Sequence, residues 1–176
     1  VDRNFEHRFM SIVAYGLNHR TASVELRERI AFPEESLGTV LRQLTQDLSN
    51  IREAAIVSTC NRTELYLAGD DDCAPTVLRW LAGFHELDVA DLEEVLYVHR
   101  DSEAVRHMMR VAAGLDSMVL GEPQIFGQLK DAYSLAREHG ATGSFLSRLF
   151  EQTFSVAQRV RTPPAIGATP VSVASA

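Results

Sequence analysis

The chain has 176 residues, which is enough for one good-sized domain, or for one domain and the start of another. Hydrophobic residues make up 45% and charged residues 23%, and no apolar run approaches the roughly 18 to 20 residues of a membrane span, so the composition predicts a soluble globular protein. The formal net charge of −7 argues against a protein that binds nucleic acid over its whole surface. The net charge does not exclude a local basic face. Such a face would be built from arginine, because Lys130 is the one lysine in the sequence.

The amino terminus and the cysteines give no sign of export, disulfides or metal. Residues 1–9 carry mixed charges without an apolar core, and we interpret them as a disordered extension or a start-site artefact before a natural start at Met10. A cytoplasmic location is therefore expected. Cys60 and Cys73 are too few for a disulfide framework and lack the paired spacing of a zinc site, so no metal is predicted.

Strand and helix patterns alternate through the first hundred residues. Apolar, β-rich runs predict strands at 11–16, 54–58, 64–68 and 95–99. Helical character starts at 25–30, is interrupted by Pro33 and continues in a helix at 33–44 with the apolar stripe Leu37, Val40, Leu41 and Leu44, and a further helix is predicted at 77–84. The order βαββαβ predicts an α+β fold over residues 10–100, in which an antiparallel sheet carries two helices on one face in the ferredoxin-like arrangement.

Helical patterns dominate from about residue 101. Helices are predicted from Asp101 or Ser102, near Ile125, at 133–139 and at 145–161. They form a predicted C-terminal helical subdomain, at 101–162, within one domain that spans 10–162. Residues 163–176 are small and apolar, and we expect them to begin a linker to a further domain.

The helix that begins near residue 101 carries a histidine. Its apolar stripe consists of Val105, Met108, Met109 and Ala112. That spacing places His107 on the other side of the helix and predicts that it is not a core residue. It is then either a solvated surface histidine or a general base that lines a cleft.

A lone cysteine stands in a short loop between the second and third predicted strands, two residues before Arg62. The thiolate is the reactive form of cysteine, and a neighbouring cation with convergent backbone N–H groups lowers the pKa of a thiol. The pattern therefore marks Cys60 as a candidate nucleophile, with an inert residue at a strand end as the alternative. A cysteine phosphatase is excluded, because that chemistry needs an arginine six residues after the cysteine and the sequence has Tyr66. Cys73, at a predicted helix start, is interpreted as an inert structural residue.

A polar segment that contains two glycines, at 114–125, leads into the helix predicted near Ile125. One interpretation is a capped connection between helices, in which Glu122 and Gln124 serve the N-terminus of the next helix. The other is that the segment forms part of a site. Both interpretations fit the residues.

Three segments together, at 16–22, 58–67 and 114–128, resemble glutamyl-tRNA reductases, and the resemblance covers roughly residues 11–173. That family consists of cytoplasmic, NADPH-dependent oxidoreductases that convert glutamyl-tRNA to glutamate-1-semialdehyde in tetrapyrrole (porphyrin) biosynthesis. The resemblance implies that Cys60 attacks the ester between glutamate and the tRNA 3′ end. A glutamyl thioester would result, which NADPH then reduces.

The resemblance also implies functions for other residues. Arg62 would hold the substrate carboxylate with its planar guanidinium, and Thr59 and Asn61 would complete that contact. His107 would be important for activity by assisting proton transfer. Further substrate-pocket positions are Ser117, Glu122, Pro123, Gln124 and Gln128.

The sequence departs from the family in what it lacks. No Gly-x-Gly-x-x-Gly fingerprint occurs, so the resemblance implies an isolated catalytic domain without the NADPH-binding and dimerisation domains of a full-length member. Such a chain is expected to act on glutamyl-tRNA as an esterase, to make no semialdehyde and to dimerise weakly. The full-length enzyme is expected to be a homodimer that contacts glutamate-1-semialdehyde aminomutase, without a membrane.

The competing interpretation is a non-catalytic module that binds tRNA or a protein partner, in which Cys60 is incidental. Thiol reactivity separates the two interpretations. An incidental cysteine keeps an ordinary pKa of about 8.5, whereas a catalytic one titrates lower and reacts selectively.

Overall fold

The computed structural model describes residues 10–70, 72–118 and 123–162. Within these ranges seven helices accompany a four-stranded antiparallel sheet, which confirms the predicted α+β class. The elements in chain order are β1 (Ser11–Asn18), α1 (Val24–Ile30), α2 (Glu34–Gln46), β2 (Ile51–Ser58), β3 (Arg62–Gly69), α3 (Ala74–Phe84), α4 (Val89–Glu93), β4 (Tyr97–Arg100), α5 (Asp101–Ala112), α6 (Gln124–Glu138) and α7 (Ser144–Arg161).

The predicted elements correspond to most of the observed ones. Each predicted strand overlaps an observed strand, and the helix at 33–44 corresponds to α2. α2 buries Val40, Leu41 and Leu44 and half-buries Leu37, as its apolar stripe predicted. α4 was not predicted, because five residues are too few to show a helical repeat.

The sheet has the strand order β2-β3-β1-β4, and all neighbouring strands are antiparallel. Asn18, at the end of β1, lies opposite Arg62, at the start of β3. β2 and β3 form a hairpin whose loop is 59–61. The loops that follow β1 and β2 therefore meet at one end of the sheet, where the backbone N–H of His19 donates to the carbonyl oxygen of Asn61 at 3.0 Å.

The sheet is buried on both faces. Every residue of β3 is buried, and so is all of β1 except Ser11, which is half-buried. α2, α6 and α7 contact β2, whereas α5 contacts β1. The polar residues of β3, Arg62, Thr63 and Glu64, consequently lie in the core. Because buried charges are rare unless they are paired, the side chains of Arg62 and Glu64 point to a network of ion pairs.

The prediction for the face of α5 was wrong. α5 buries Ala104, His107, Met108, Val111 and Ala112 and leaves Val105 and Met109 half-buried. His107 is only 9% exposed, and its Nε2 lies 2.9 Å from the carboxylate of Glu64. A polar ring is buried at little cost when its nitrogen is hydrogen-bonded, and apolar spacing along one helix does not reveal such a partner.

Three expectations fall outside the described residues: the extension at 1–9, the linker at 163–176 and Glu122 as a pocket residue. In the ranges that are described, no helix has both the length and the apolar character needed to cross a bilayer. Nor do three side chains of the types His, Cys, Asp or Glu gather there as metal ligands.

Candidate active site

Cys60 is exposed in the loop between β2 and β3. Thr59 organises this loop, because its hydroxyl accepts the backbone N–H groups of Asn61 and Arg62, both at 3.2 Å. The N–H of Thr59 donates to the carbonyl oxygen of Arg62 at 2.8 Å. The thiol therefore stands in an ordered turn, and the hydroxyl that was expected to contact a substrate carboxylate forms hydrogen bonds within that turn.

Arg27 holds the same turn from α1. Its Nη1 donates to the carbonyl oxygen of Cys60 at 2.6 Å and lies 3.4 Å from Oδ1 of Asn61. Ser23 caps the N-terminus of α1 by accepting the N–H of Leu26, which stabilises the helix that carries the arginine. Arg27 was not among the predicted site residues. It lies 33 residues from Cys60, and its closest contact is with a backbone atom, so no side-chain pattern indicates it.

Arg62 begins β3 and is only 2% exposed. Its Nη1 contacts Glu64 Oε1 at 2.8 Å and Asp116 Oδ2 at 3.3 Å, and its Nη2 donates to the carbonyl oxygen of Asp116 at 2.6 Å. Burial opposes the charge of Arg62, but Glu64 and the neighbouring groups raise its pKa above the ordinary range, so it stays a cation. Two carboxylates thus pair with this guanidinium. The sequence, with Arg62 two residues after Cys60, had instead suggested a cation that acts on the Cys60 thiol.

Glu64 is the centre of a buried hydrogen-bond network. It is fully buried and accepts hydrogen bonds from Arg62, Tyr66, Tyr97 and His107. Burial alone would raise the pKa of this carboxyl, but the hydrogen bond from His107 and the charge of Arg62 hold the pKa down at about 2. Glu64 is therefore ionised at neutral pH, and the assigned tautomer of His107 is the one that presents Nε2–H to it.

A small pocket surrounds the thiol. It is lined by Thr59, Cys60, Asn61, Arg62, Ser117, Met118, Gln124, Ile125 and Gln128. All but Met118 and Ile125 were predicted site residues. Those two were not predicted, because an apolar side chain has no reactive or polar group that would mark it as a site residue in the sequence. The open volume among these side chains is about 20 Å³, which holds roughly one water.

Two predicted site residues lie outside this pocket. His107 belongs to the Glu64 network and lines a neighbouring cleft instead. Pro123 is exposed and immediately precedes α6, the helix that supplies Gln124 and Gln128 to the pocket. His107 therefore lines a different space from the one that the thiol lines, and Pro123 precedes a helix that contributes to the pocket.

The fold and the pocket together define a class of protein. It is an α+β domain that presents one exposed cysteine among hydroxyl and amide side chains, an arrangement suited to covalent acyl transfer. Residues 15–163 match the family described as "Glutamyl-tRNAGlu reductase, N-terminal domain". The chain belongs to this family, as the resemblance of its three segments implied.

Individual relatives agree with this assignment. A glutamyl-tRNA reductase of Marinobacter nauticus is 77% identical over 167 residues, which cover 95% of this chain and 39% of that protein. One from Pseudomonas fluorescens is 59% identical with the same coverage. The solved structure of the glutamyl-tRNA reductase from Methanopyrus kandleri matches with a TM-score of 0.71 at 31% identity, over 85% of this chain and 34% of that one. The chain thus spans 39% of the length of these curated relatives.

Proposed function

We propose that this chain performs the acyl-transfer step of glutamyl-tRNA reductase. The thiol of Cys60 gives its proton to water, and the thiolate attacks the carbonyl carbon of the glutamyl ester. A C–S bond forms, the ester C–O bond breaks, and the terminal ribose oxygen of the departing tRNA takes up a proton from water. The observation that carries the proposal is the exposed thiol in a turn fixed by Arg27, at the pocket that most predicted residues line. Membership of the family supports the choice of substrate.

The pocket offers several donors to the glutamyl group. Ser117 contributes a hydroxyl, and Gln124 and Gln128 contribute amides from successive turns of α6. We assign these groups to the polar atoms of the substrate. We also propose Pro123, which immediately precedes α6, and Glu122, which lies outside the described residues, as substrate-binding positions.

Arg62 is the proposed partner of the substrate carboxylate. A guanidinium has five N–H donors, and the contacts with Glu64 and Asp116 use both hydrogens of Nη1 and one of Nη2. The Nε–H and the second hydrogen of Nη2 make no hydrogen bond within the described ranges. A guanidinium that its neighbours hold rigidly loses little entropy on binding a planar carboxylate, which favours glutamate over uncharged side chains. We assign to Asn61, and to Thr59 through its backbone, the support of this contact.

For His107 we propose a positioning function in place of proton transfer. Its Nε2 faces Glu64, and Glu64 in turn binds Arg62, so the histidine acts on the substrate through two contacts. Because the contact is a donated hydrogen bond, His107→Gln should retain more acyl transfer than His107→Ala, mainly through a lower KM for the glutamyl substrate. Equal loss in both variants would contradict this function.

NADPH does not fit the described part of this chain. A dinucleotide site of the usual kind needs parallel strands and a glycine-rich turn before a helix. Here every strand pair is antiparallel and the sequence has no Gly-x-Gly-x-x-Gly. We therefore confine the proposed chemistry of this chain to acyl transfer and slow hydrolysis of the thioester. NADPH-dependent reduction to glutamate-1-semialdehyde is proposed only for a longer protein of this family.

Finer features of fold and assembly are proposals as well. The strand order β2-β3-β1-β4, with antiparallel neighbours, supports a ferredoxin-like sheet at 10–100, and α5 to α7 support a helical part at 101–162. For a longer protein of this family we propose a cytoplasmic homodimer that contacts glutamate-1-semialdehyde aminomutase. Family membership is the support for that assembly.

Release of glutamate from glutamyl-tRNA tests the proposed function. Wild type should release glutamate faster than Cys60→Ser, because the thioester of Cys60 is open to water. Cys73→Ser is the matched control and should resemble wild type, since Cys73 is only 1% exposed. Equal release by wild type and Cys60→Ser would contradict acyl transfer. It would favour the alternative of a non-catalytic module that binds tRNA or a protein partner.

A further inference from the structure

A second cleft adjoins the Cys60 pocket. Its volume of about 390 Å³ is within the range of ligand-binding sites. Asp116 lines this cleft and links it to the pocket, because its carboxylate contacts Arg62 of the pocket and Arg20 of the cleft, each at 3.3 Å. The loop that carries Arg20 also meets the cysteine turn, through the hydrogen bond from His19 to Asn61. Residues of the cleft are thus connected by direct contacts to Arg62 and to the turn that carries Cys60.

Arginines give the cleft affinity for anions. Arg20, Arg106 and Arg110 line it, and the first two are 56% and 71% exposed with one ion pair each, at 3.3 Å and 3.8 Å. Arg110 is exposed and has no ion-pair partner among the described residues. A guanidinium matches phosphate oxygens bidentately. Two carboxylates, Glu103 and Asp116, also line the cleft, so the three arginines outnumber them by one, and Arg110 is the cation that neither carboxylate pairs with. In a chain with a net charge of −7, this excess of arginine indicates a local site for phosphates.

Aromatic rings form another part of the cleft wall. Tyr97, His99 and His107 all line the cleft. The rings of His99 and His107 are stacked with centroids 4.5 Å apart, and the centroid of Tyr97 lies 5.3 Å from that of His99. Arginines beside a series of rings are the usual components of a site for single-stranded nucleic acid, because phosphates bind the cations and bases stack on the rings.

A third cleft borders the Cys60 pocket on another side and has a different character. It shares Thr59 and Gln128 with the pocket, and its volume is about 310 Å³. Glu34 and Asp131 line it together with apolar side chains. Carboxylates without arginine repel a polyanion, so this cleft is a poor site for RNA and the arginine cleft is the better one.

We propose that the arginine cleft binds the single-stranded 3′ end of the RNA whose aminoacyl ester reaches Cys60. Phosphodiester oxygens contact Arg106 and Arg110, and a base lies against the ring of His99. The inference rests on the proposed acyl-transfer function and specifies which part of the substrate is bound outside the glutamyl pocket. It also explains how an acidic domain binds a polyanion, because the contact is confined to one cleft.

Binding of tRNA to the 176-residue chain tests this site. Fluorescence anisotropy is measured over a range of salt with deacylated tRNA, and with the same tRNA lacking its three 3′-terminal nucleotides. Replacing both Arg106 and Arg110 by Gln should weaken binding of intact tRNA by about tenfold or more and reduce the salt slope by about 1.4, which is about 0.7 for each phosphate contact with a single strand. His99→Ala should weaken it by about fivefold or more. Arg79→Gln, at an exposed arginine of α3 that lines neither cleft, should bind as wild type does.

Truncated tRNA should bind wild type weakly, and the double substitution should not change the affinity for truncated tRNA. Wild-type affinity in the double variant, or equal loss with intact and truncated tRNA, would overturn the inference. Acylation of Cys60 by a nucleotide-free glutamyl thioester separates this failure from failure of the proposed function. If that donor acylates Cys60 while the substitutions in the cleft leave the affinity for tRNA unchanged, only the inference fails. If neither that donor nor glutamyl-tRNA acylates Cys60, the proposed function fails.

Discussion

The two cysteines differ in exposure. Cys60 is exposed in its turn, whereas Cys73 is buried just before α3, where burial raises the pKa of its thiol to about 11. A cysteine acts as a nucleophile only where its thiolate forms and meets the other reactant. Cys73 meets neither condition, so it serves as an internal control for the reactivity of Cys60.

Iodoacetamide should modify Cys60 alone in the folded chain near neutral pH. Peptide mapping by mass spectrometry measures the rate at each cysteine, and the same reaction in denaturant gives the rate of each unfolded thiol. A catalytic Cys60 should react faster in the folded chain than in denaturant. A slower reaction in the folded chain would support the interpretation of Cys60 as incidental.

Glu64→Gln should make stability depend on pH in a defined direction. The carboxyl has a pKa of about 2 in the folded chain against an ordinary value of 4.5. Its contribution to the free energy of unfolding is therefore fully present above the ordinary value and is lost as pH falls toward the folded value. We expect the variant to be less stable by about 3 kcal/mol near neutral pH, and the difference from wild type to shrink between about pH 5 and about pH 2.

Urea unfolding at a series of pH values measures this difference. Asp72→Asn is the control, because Asp72 pairs with Arg100 at 2.8 Å while both side chains are about half exposed. Such a surface pair contributes about 1 kcal/mol or less. A difference between wild type and Glu64→Gln that stays constant over this pH range would contradict the assigned charge of Glu64.

Strands β1 and β3 approach each other closely at Gly16. A Cβ atom there would lie 2.4 Å from the carbonyl oxygen of Thr63 and 2.9 Å from Cα of Glu64, so the strands would have to move apart. Gly16→Ala should therefore destabilise the chain by about 1 to 3 kcal/mol. It should also slow acyl transfer, since Glu64 positions Arg62.

Thermal unfolding and glutamate release measure these two effects of Gly16→Ala. Gly83→Ala is the matched control, because a Cβ at this position in α3 meets nothing within 4 Å. Gly83 is the second-last residue of α3, so alanine there should be neutral or should stabilise by less than about 1 kcal/mol relative to glycine. If Gly16→Ala unfolds at the same temperature as wild type, the expected destabilisation is wrong, and β1 and β3 accommodate the Cβ atom without loss of stability.

Local patterns predicted the elements but not their partners. The strands and α2 followed from apolar runs and helical spacing, which depend on neighbouring residues. The buried face of α5 depends on the contact between His107 and Glu64, which are 43 residues apart. Alternation along β3 places Arg62, Glu64 and Tyr66 on one face and could have indicated their network. Their burial, however, follows from helices that pack on both faces of the sheet.

At the scale of the whole molecule, the sheet brings together segments that are distant in sequence. The end of β1, the β2–β3 turn and the segment after α5 meet where Asn18 contacts Asp116 at 3.5 Å and His19 contacts Asn61 at 3.0 Å. Periodicity cannot predict such a meeting. The family resemblance implied a substrate pocket with residues from 58–67 and 114–128, and most of these residues line one pocket, but it assigned no site residue to 16–22. It did not indicate Arg27, or that His107 lines a different space from the one that the thiol lines.

Intact-protein mass spectrometry after mixing with glutamyl-tRNA tests covalent catalysis most directly. The reaction is quenched in mild acid, which preserves thioesters. We predict one added glutamyl group on wild type and on Cys73→Ser, no addition on Cys60→Ala, and loss of the adduct on treatment with neutral hydroxylamine. An unmodified wild type while the tRNA is still charged, or the same adduct on Cys60→Ala, would contradict acyl transfer to Cys60.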